Sequence, residues 1–187
     1  MKQLLYLTIL GLSVLSFSGC EAMKQRTKQA SPEQTISYTL AGTNGESAEI
    51  QVFYNRPGKK DRAIFGELVP YGEVWRTGAN EATTFECNAN LSIGGETLAA
   101  GTYTLWTIPG ANEWQVIFNK EMYPWGIKFN GKASRDPEFD ALQVSVPVES
   151  LSEVIERFTI DLQLEDSSHQ MTLKWDQTQI SVPISLE

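Results

Sequence analysis

From residue 35 onward the chain alternates apolar and polar side chains. Ile36, Tyr38 and Leu40 form one such run, and Ile50, Val52 and Tyr54 a second. Trp114, Val116 and Phe118 follow, then Leu142, Val144, Val146 and Val148. Phe158 to Leu164, Met171 to Trp175 and Ile180 to Leu186 repeat the pattern. A period of two puts one face inward and the other toward water, as in antiparallel sheet. Turn residues divide the runs: Asn44-Gly45, Gly94-Gly95, Pro109-Gly110 and Asn130-Gly131. No strand–helix–strand rhythm is present, so the pattern predicts an all-β antiparallel β-sandwich, with a closed β-barrel as the alternative. Helix is confined to a short candidate at Val148–Ile155 and a turn near Pro137–Ala141. Pro147 and Pro183 fall inside strand-like runs and predict edges or bulges, because proline cannot donate to a ladder.

The first residues have a different character. Lys2 precedes an apolar stretch, Leu4–Leu15, that is too short to span a bilayer as a helix. Ser16-Phe17-Ser18-Gly19-Cys20 then resembles a bacterial lipobox, with Phe17 where leucine is usual. The expectation is a lipoprotein signal peptide over 1–19, a lipid on Cys20, a polar tether over 20–34 and one domain over 35–187. The membrane would then be a partner through that lipid, and the domain would face the periplasm. If Cys20 is lipidated, Cys87 has no partner for an intramolecular disulfide. Its alternating surroundings place it inward on a strand.

Charge narrows the partners. Of 15 basic and 23 acidic side chains, residues 1–30 hold four (Lys2, Lys24, Arg26, Lys28) and one (Glu21). The body therefore carries 11 against 22, a net of −11, which argues against sequence-independent nucleic-acid binding. One histidine excludes a histidine-rich zinc site, and the acids of Asp136–Asp140 fit no EF-hand spacing, so neither metal nor cofactor is expected. His169 falls in a polar turn and is expected at the surface.

The alternation breaks at Ile64–Phe85, which brings Trp75, Arg76, Asn80 and Glu81 together in an irregular crossing. Loops held by a rigid scaffold are where binding residues concentrate. Arg76 offers a planar fork of donors, Glu81 two acceptors, Asn80 both, and Trp75 an apolar wall. Arg56 and Arg62 flank the basic turn Arg56-Pro57-Gly58-Lys59-Lys60-Asp61-Arg62 and are candidates for the same site. The competing assignment pairs Arg76 with Glu81, closes an Asx turn at Asn80 and uses Trp75 to plug the sandwich. Trp106 and Trp125 are the candidates for exposed aromatics, and Trp114 for the core.

Leu68-Val69-Pro70-Tyr71-Gly72 and Val74-Trp75-Arg76-Thr77-Gly78-Ala79-Asn80-Glu81-Ala82-Thr83 resemble the bacterial family called domain of unknown function 2911. Ile93-Gly94-Gly95, Gly101–Leu105, Trp114–Lys120 and Trp125-Gly126 fit it as well, so that the resemblance covers about residues 36–187. One departure is Ala100, where the family more often has proline. The resemblance implies an envelope-associated β-rich domain and supplies no activity or catalytic residue.

Three functions compete. The first is a non-catalytic module binding a small polar ligand, glycan or peptide at Arg76–Glu81. The second is a structural or assembly protein of the envelope. The third is a hydrolase pairing Glu81 with Glu67 or Glu73. No nucleophile elbow, phosphate loop or dinucleotide fingerprint occurs in the sequence, which places the binding module first.

Overall fold

The alternating runs become nine antiparallel strands in a computed structural model that describes residues 30–43, 45–165 and 168–187. They are β1 (Glu33–Ala41), β2 (Ser47–Asn55), β3 (Thr83–Cys87), β4 (Leu91–Ile93), β5 (Glu96–Leu98), β6 (Gly101–Ile108), β7 (Glu113–Asn119), β8 (Asp140–Glu165) and β9 (Ser168–Leu186). Cys20, the leader and most of the tether lie outside the described residues, as does Asn44. β1 starts two residues ahead of the boundary read from polarity. Among the described residues no helix is long and apolar enough to cross a membrane.

The strand order is β1-β2-β3-β6-β7-β8-β9-β4-β5, one sheet folded over into two layers and not closed into a barrel. β8 makes the fold-over. It pairs with β7 as far as Pro147, then with β9 from Val148 onward. Proline withholds a ladder hydrogen bond at the point where the strand changes partners. Pro183 lies on β9 beyond the last β8 pairing, Val148 with Ile180. The layers close over one apolar core that includes Ile50, Val52, Phe85, Leu105, Val116 and Phe118 from the first, and Phe158, Ile160, Leu173 and Val182 from the second. Tyr54 of β2 bridges them. Its hydroxyl donates to the Ile160 carbonyl at 3.1 Å and accepts from the Ile160 N–H at 3.0 Å.

Several expectations need correction. Val148–Ile155 is strand, not helix. The register shifts between Ser150 and Ile155, so local apolar spacing there reports a bulge and not a helical face. The Pro137–Phe139 turn is a single turn of 3-10 helix capped by the Asp136 side chain. Trp106 is fully buried, not exposed. β6 is covered on both faces, and Trp106 packs with Ala82 and Ile117 in a second cluster roofed by Val74, Tyr123 and Ala133. Trp114 is core and Trp125 is 41% exposed, as expected. His169 is half-buried and not a free surface group. It shares a 2.7 Å hydrogen bond between Nδ1 and the Tyr38 hydroxyl, and Nε2 lies 3.2 Å from the Ala41 carbonyl.

Cys87 faces inward from β3 and is 2% exposed. Burial pushes its thiol pKa up. Only the thiolate attacks, so maleimide or disulfide-exchange labelling of Cys87 at pH 8 should run at least about a hundredfold slower in the native protein than in denaturant. Equal rates would contradict the inward placement.

Candidate functional site

The irregular crossing between β2 and β3 is tied down by backbone before any side chain is considered. Trp75 exchanges both backbone hydrogen bonds with Thr107 of β6, at 2.7 and 3.0 Å. The chain then reverses tightly, with Thr77 at φ 53°, Gly78 at φ 151° and Asn80 at φ 59°. Left-handed conformations at two non-glycine residues within four positions cost free energy and persist only when the surroundings fix them. Those surroundings are visible. Thr83 Oγ1 donates to the Thr77 carbonyl at 2.7 Å, and Trp75 Nε1 to the Gly78 carbonyl at 3.2 Å. A Cβ at Gly78 would stand 2.9 Å from the Asn55 carbonyl oxygen, so only glycine fits.

Trp75 anchors the crossing to the core. Its ring stacks on Trp175 at 5.8 Å with 16° between planes, and meets Phe158, Phe65 and Trp114 edge-on. Trp75 is thus packed against the core, and its exposed part also walls a cavity.

Arg76 follows and points away from the core. Its aliphatic stem lies against Gly126, where an added Cβ would come within 2.2 Å of Arg76 Cδ. The Gly126 N–H donates to the Asn80 carbonyl at 2.9 Å, locking the two loops together. Arg76 Nε is buried and has no hydrogen-bond partner among the described residues. Burial lowers the guanidinium pKa from its ordinary value, yet an arginine stays charged in a protein.

Two cavities meet at this side chain. The first, about 370 Å³, is lined by Lys60, Arg62, Arg76, Trp75, Asn80, Ala30 and Ser31, among others. The second, about 800 Å³, is lined by Arg76, Lys128, Lys132, Arg135, Glu73 and Pro70, among others. Leu68, Val69, Trp75 and Arg76 border both, so Arg76 stands at the divide. Six of the body's 11 basic residues line these cavities, against one of its 22 acids, Glu73. Arg135 among them is already paired with Asp140.

A family model described as "Protein of unknown function (DUF2911)" matches residues 31–184. The chain belongs to the DUF2911 family. That match spans the crossing, the lining of both cavities except Ala30, and all nine strands to within two residues of the end of β9. No curated protein matches the chain, and no solved structure does.

Within the DUF2911 domain the six sequence candidates separate. Trp75, Arg76, Asn80 and Arg62 share the first cavity. Glu81 does not line it. Its carboxylate accepts from Asn55 Nδ2 at 3.1 Å, and Asn55 Oδ1 in turn accepts from Asn80 Nδ2 at 3.4 Å. Glu81 and Asn80 therefore brace the crossing from behind, in place of the expected Arg76–Glu81 pair or an Asx turn. Arg56 is also removed from the site. Its Nε donates to the Phe158 carbonyl at 3.1 Å and its Nη2 to Thr159 Oγ1 at 2.9 Å, tying the residue just past β2 to β8. Arg62 is exposed, with Nε bonded to the Lys59 carbonyl at 3.0 Å, so the two arginines do not converge.

Lys60 lies in the basic turn that the sequence singled out beside the Arg76 loop, whereas sequence reasoning missed Lys128, Lys132 and Arg135 as cavity residues, and Gly126 as the floor under Arg76. The available sign was the pair of lysines bracketing the Asn130-Gly131 turn. Among the described residues no group of histidine, cysteine or carboxylate side chains could hold a metal ion.

Proposed function

We propose that this domain is a binding module for a small anionic ligand, carried on the envelope by a lipid on Cys20. The observation that carries the ligand reading is Arg76, a partly desolvated guanidinium with one donor unpaired while Glu81 of the same crossing is committed to Asn55. An uncompensated charge is costly to hold, and an anion in either cavity offsets that charge, although Nε itself is closed to solvent. Within the small polar ligand, glycan or peptide that the sequence allowed, the surrounding lysines favour an anion. The hydrolase reading gains no support, since Glu81 borders neither cavity and Glu67 and Glu73 are exposed.

Calorimetric titration with phosphate, sulfate and acetate tests the proposal. At least one of these anions should bind saturably, and Arg76→Gln should weaken it by roughly 10–100-fold, the range for a charge-assisted contact. Glu81→Gln should leave binding within about threefold if the fold holds, because Glu81 does not reach the ligand. Equal binding by wild type and Arg76→Gln would end the proposal.

A further inference from the structure

We infer that the anion taken by this site is the headgroup phosphate of an anionic phospholipid, and that the Lys128–Lys132 hairpin docks on the bilayer surface. This rests on the anion-binding reading of Arg76 and adds the ligand class.

The hairpin supplies the first argument. Ile127 and Ala133 form its closing bridge. The Lys128 N–H donates to the Lys132 carbonyl at 2.8 Å, and the Gly131 N–H to the Lys128 carbonyl at 2.9 Å. Gly131 takes φ 80°, the left-handed position that ends a three-residue hairpin loop. Asn130 Oδ1 accepts from the Lys132 N–H at 3.1 Å. With the tip fixed this way, Phe129 projects fully into solvent, at 114% relative exposure. Lys128, Asn130, Gly131 and Lys132 line the larger cavity, and Phe129 does not. A bare phenyl ring between two lysines beside an arginine-floored cleft matches a bilayer interface, apolar below and anionic at the headgroups.

The rest of the lining agrees. Leu68, 44% exposed, and Pro70 line the same cavity as the hairpin, and neighbouring Tyr71 is 48% exposed. Charge then sets orientation. A body of net charge −11 meets an anionic surface most favourably where its cations gather, and six of its 11 basic residues line these two cavities. Chain entry gives a third argument. Ala30 and Ser31 border the adjoining cavity, so the first described residues lie on this side. Ten residues span at most about 33–36 Å, so a lipid on Cys20 keeps this face within that distance of the bilayer.

All core residues lie between Leu40 and Ile184, so a chain beginning at residue 21 keeps the fold and has no lipid of its own. Its binding to vesicles of phosphatidylglycerol mixed with phosphatidylcholine is the test, with pure phosphatidylcholine as control. Binding should require phosphatidylglycerol. It should fall about 25-fold in Lys128→Gln/Lys132→Gln and about tenfold in Phe129→Ser. Phe129 is fully exposed, so its replacement leaves the fold intact. No vesicle binding, or equal binding by Phe129→Ser, overturns the docking. Titration with soluble glycerol phosphate separates the two readings. Arg76-dependent binding of that anion without vesicle binding removes the membrane and leaves the small-ligand site. Failure of both removes both.

Discussion

Trp75→Ala is expected to destabilise the domain by about 2–4 kcal/mol, the largest stability loss of any single change at the site. Trp75 is only partly buried, which sets it somewhat below a fully enclosed tryptophan. However, its ring contacts Phe65, Trp114, Phe158 and Trp175 at once. Removing it opens a void at the junction of β6, β8 and β9 and abolishes the donor to the Gly78 carbonyl. For a domain of this size the melting temperature should drop by about 5–12 °C. The crossing should loosen as well, because Thr77 and Asn80 hold left-handed conformations only under constraint. Trp75→Phe separates the two effects. It keeps an aromatic face on Trp175, should cost about 1 kcal/mol, and should retain most anion binding. Thermal and urea unfolding measure both. A loss under about 1 kcal/mol for Trp75→Ala would show that the crossing rests on its backbone bonds and not on the aromatic cluster.

The alternation of apolar residues made the strands legible because burial on one face selects side chains at every second position. It did not reveal that Leu142–Val148 and Phe158–Leu164 belong to one strand. The intervening residues are largely exposed, so no inward set marks their direction, and the bulge at Ser150–Ile155 obscures the register. The sign present in the sequence was a change of phase. Met171, Leu173 and Trp175 are buried at odd positions and Ile180, Val182 and Ile184 at even ones, with Asp176 at φ 55° between them. A slip of one residue without a turn is a bulge. Trp106 was misjudged because two-sided burial depends on which loops roof the sheet, and alternation carries no record of that.

The site divides along the same line. Trp75, Arg76 and Asn80 are close in sequence on chain too irregular to be ladder, so their adjacency was readable. Glu81 is one residue further, yet it turns toward Asn55, a partner 26 positions away. Lys128 and Lys132 stand more than 50 positions from Arg76, and their loop reaches the cleft through the Gly126–Asn80 hydrogen bond, the packing of Gly126 under Arg76 and the cluster that Ala133 shares with Val74.

Arg76→Met is expected to raise stability by about 0.5–2 kcal/mol while removing anion binding. A buried donor without an acceptor carries its desolvation cost in full, about 1–3 kcal/mol, and Arg76 Nε is such a donor. Methionine has similar reach, packs its flexible thioether along Trp75 and Gly126, and has nothing to desolvate. A gain in stability with a loss of binding is the mark of a residue kept for its ligand. The comparison has an internal control. Addition of the bound anion should stabilise wild type in proportion to its occupancy and leave Arg76→Met unchanged, so the two unfolding curves converge or cross as the anion is raised. Phosphate and sulfate also stabilise proteins through exclusion from the surface, and that general effect shifts both curves equally. Only the difference between them reports the site. If Arg76→Met instead loses 1 kcal/mol or more without any anion present, the guanidinium is part of the scaffold, and the cleft it divides has no anion to explain.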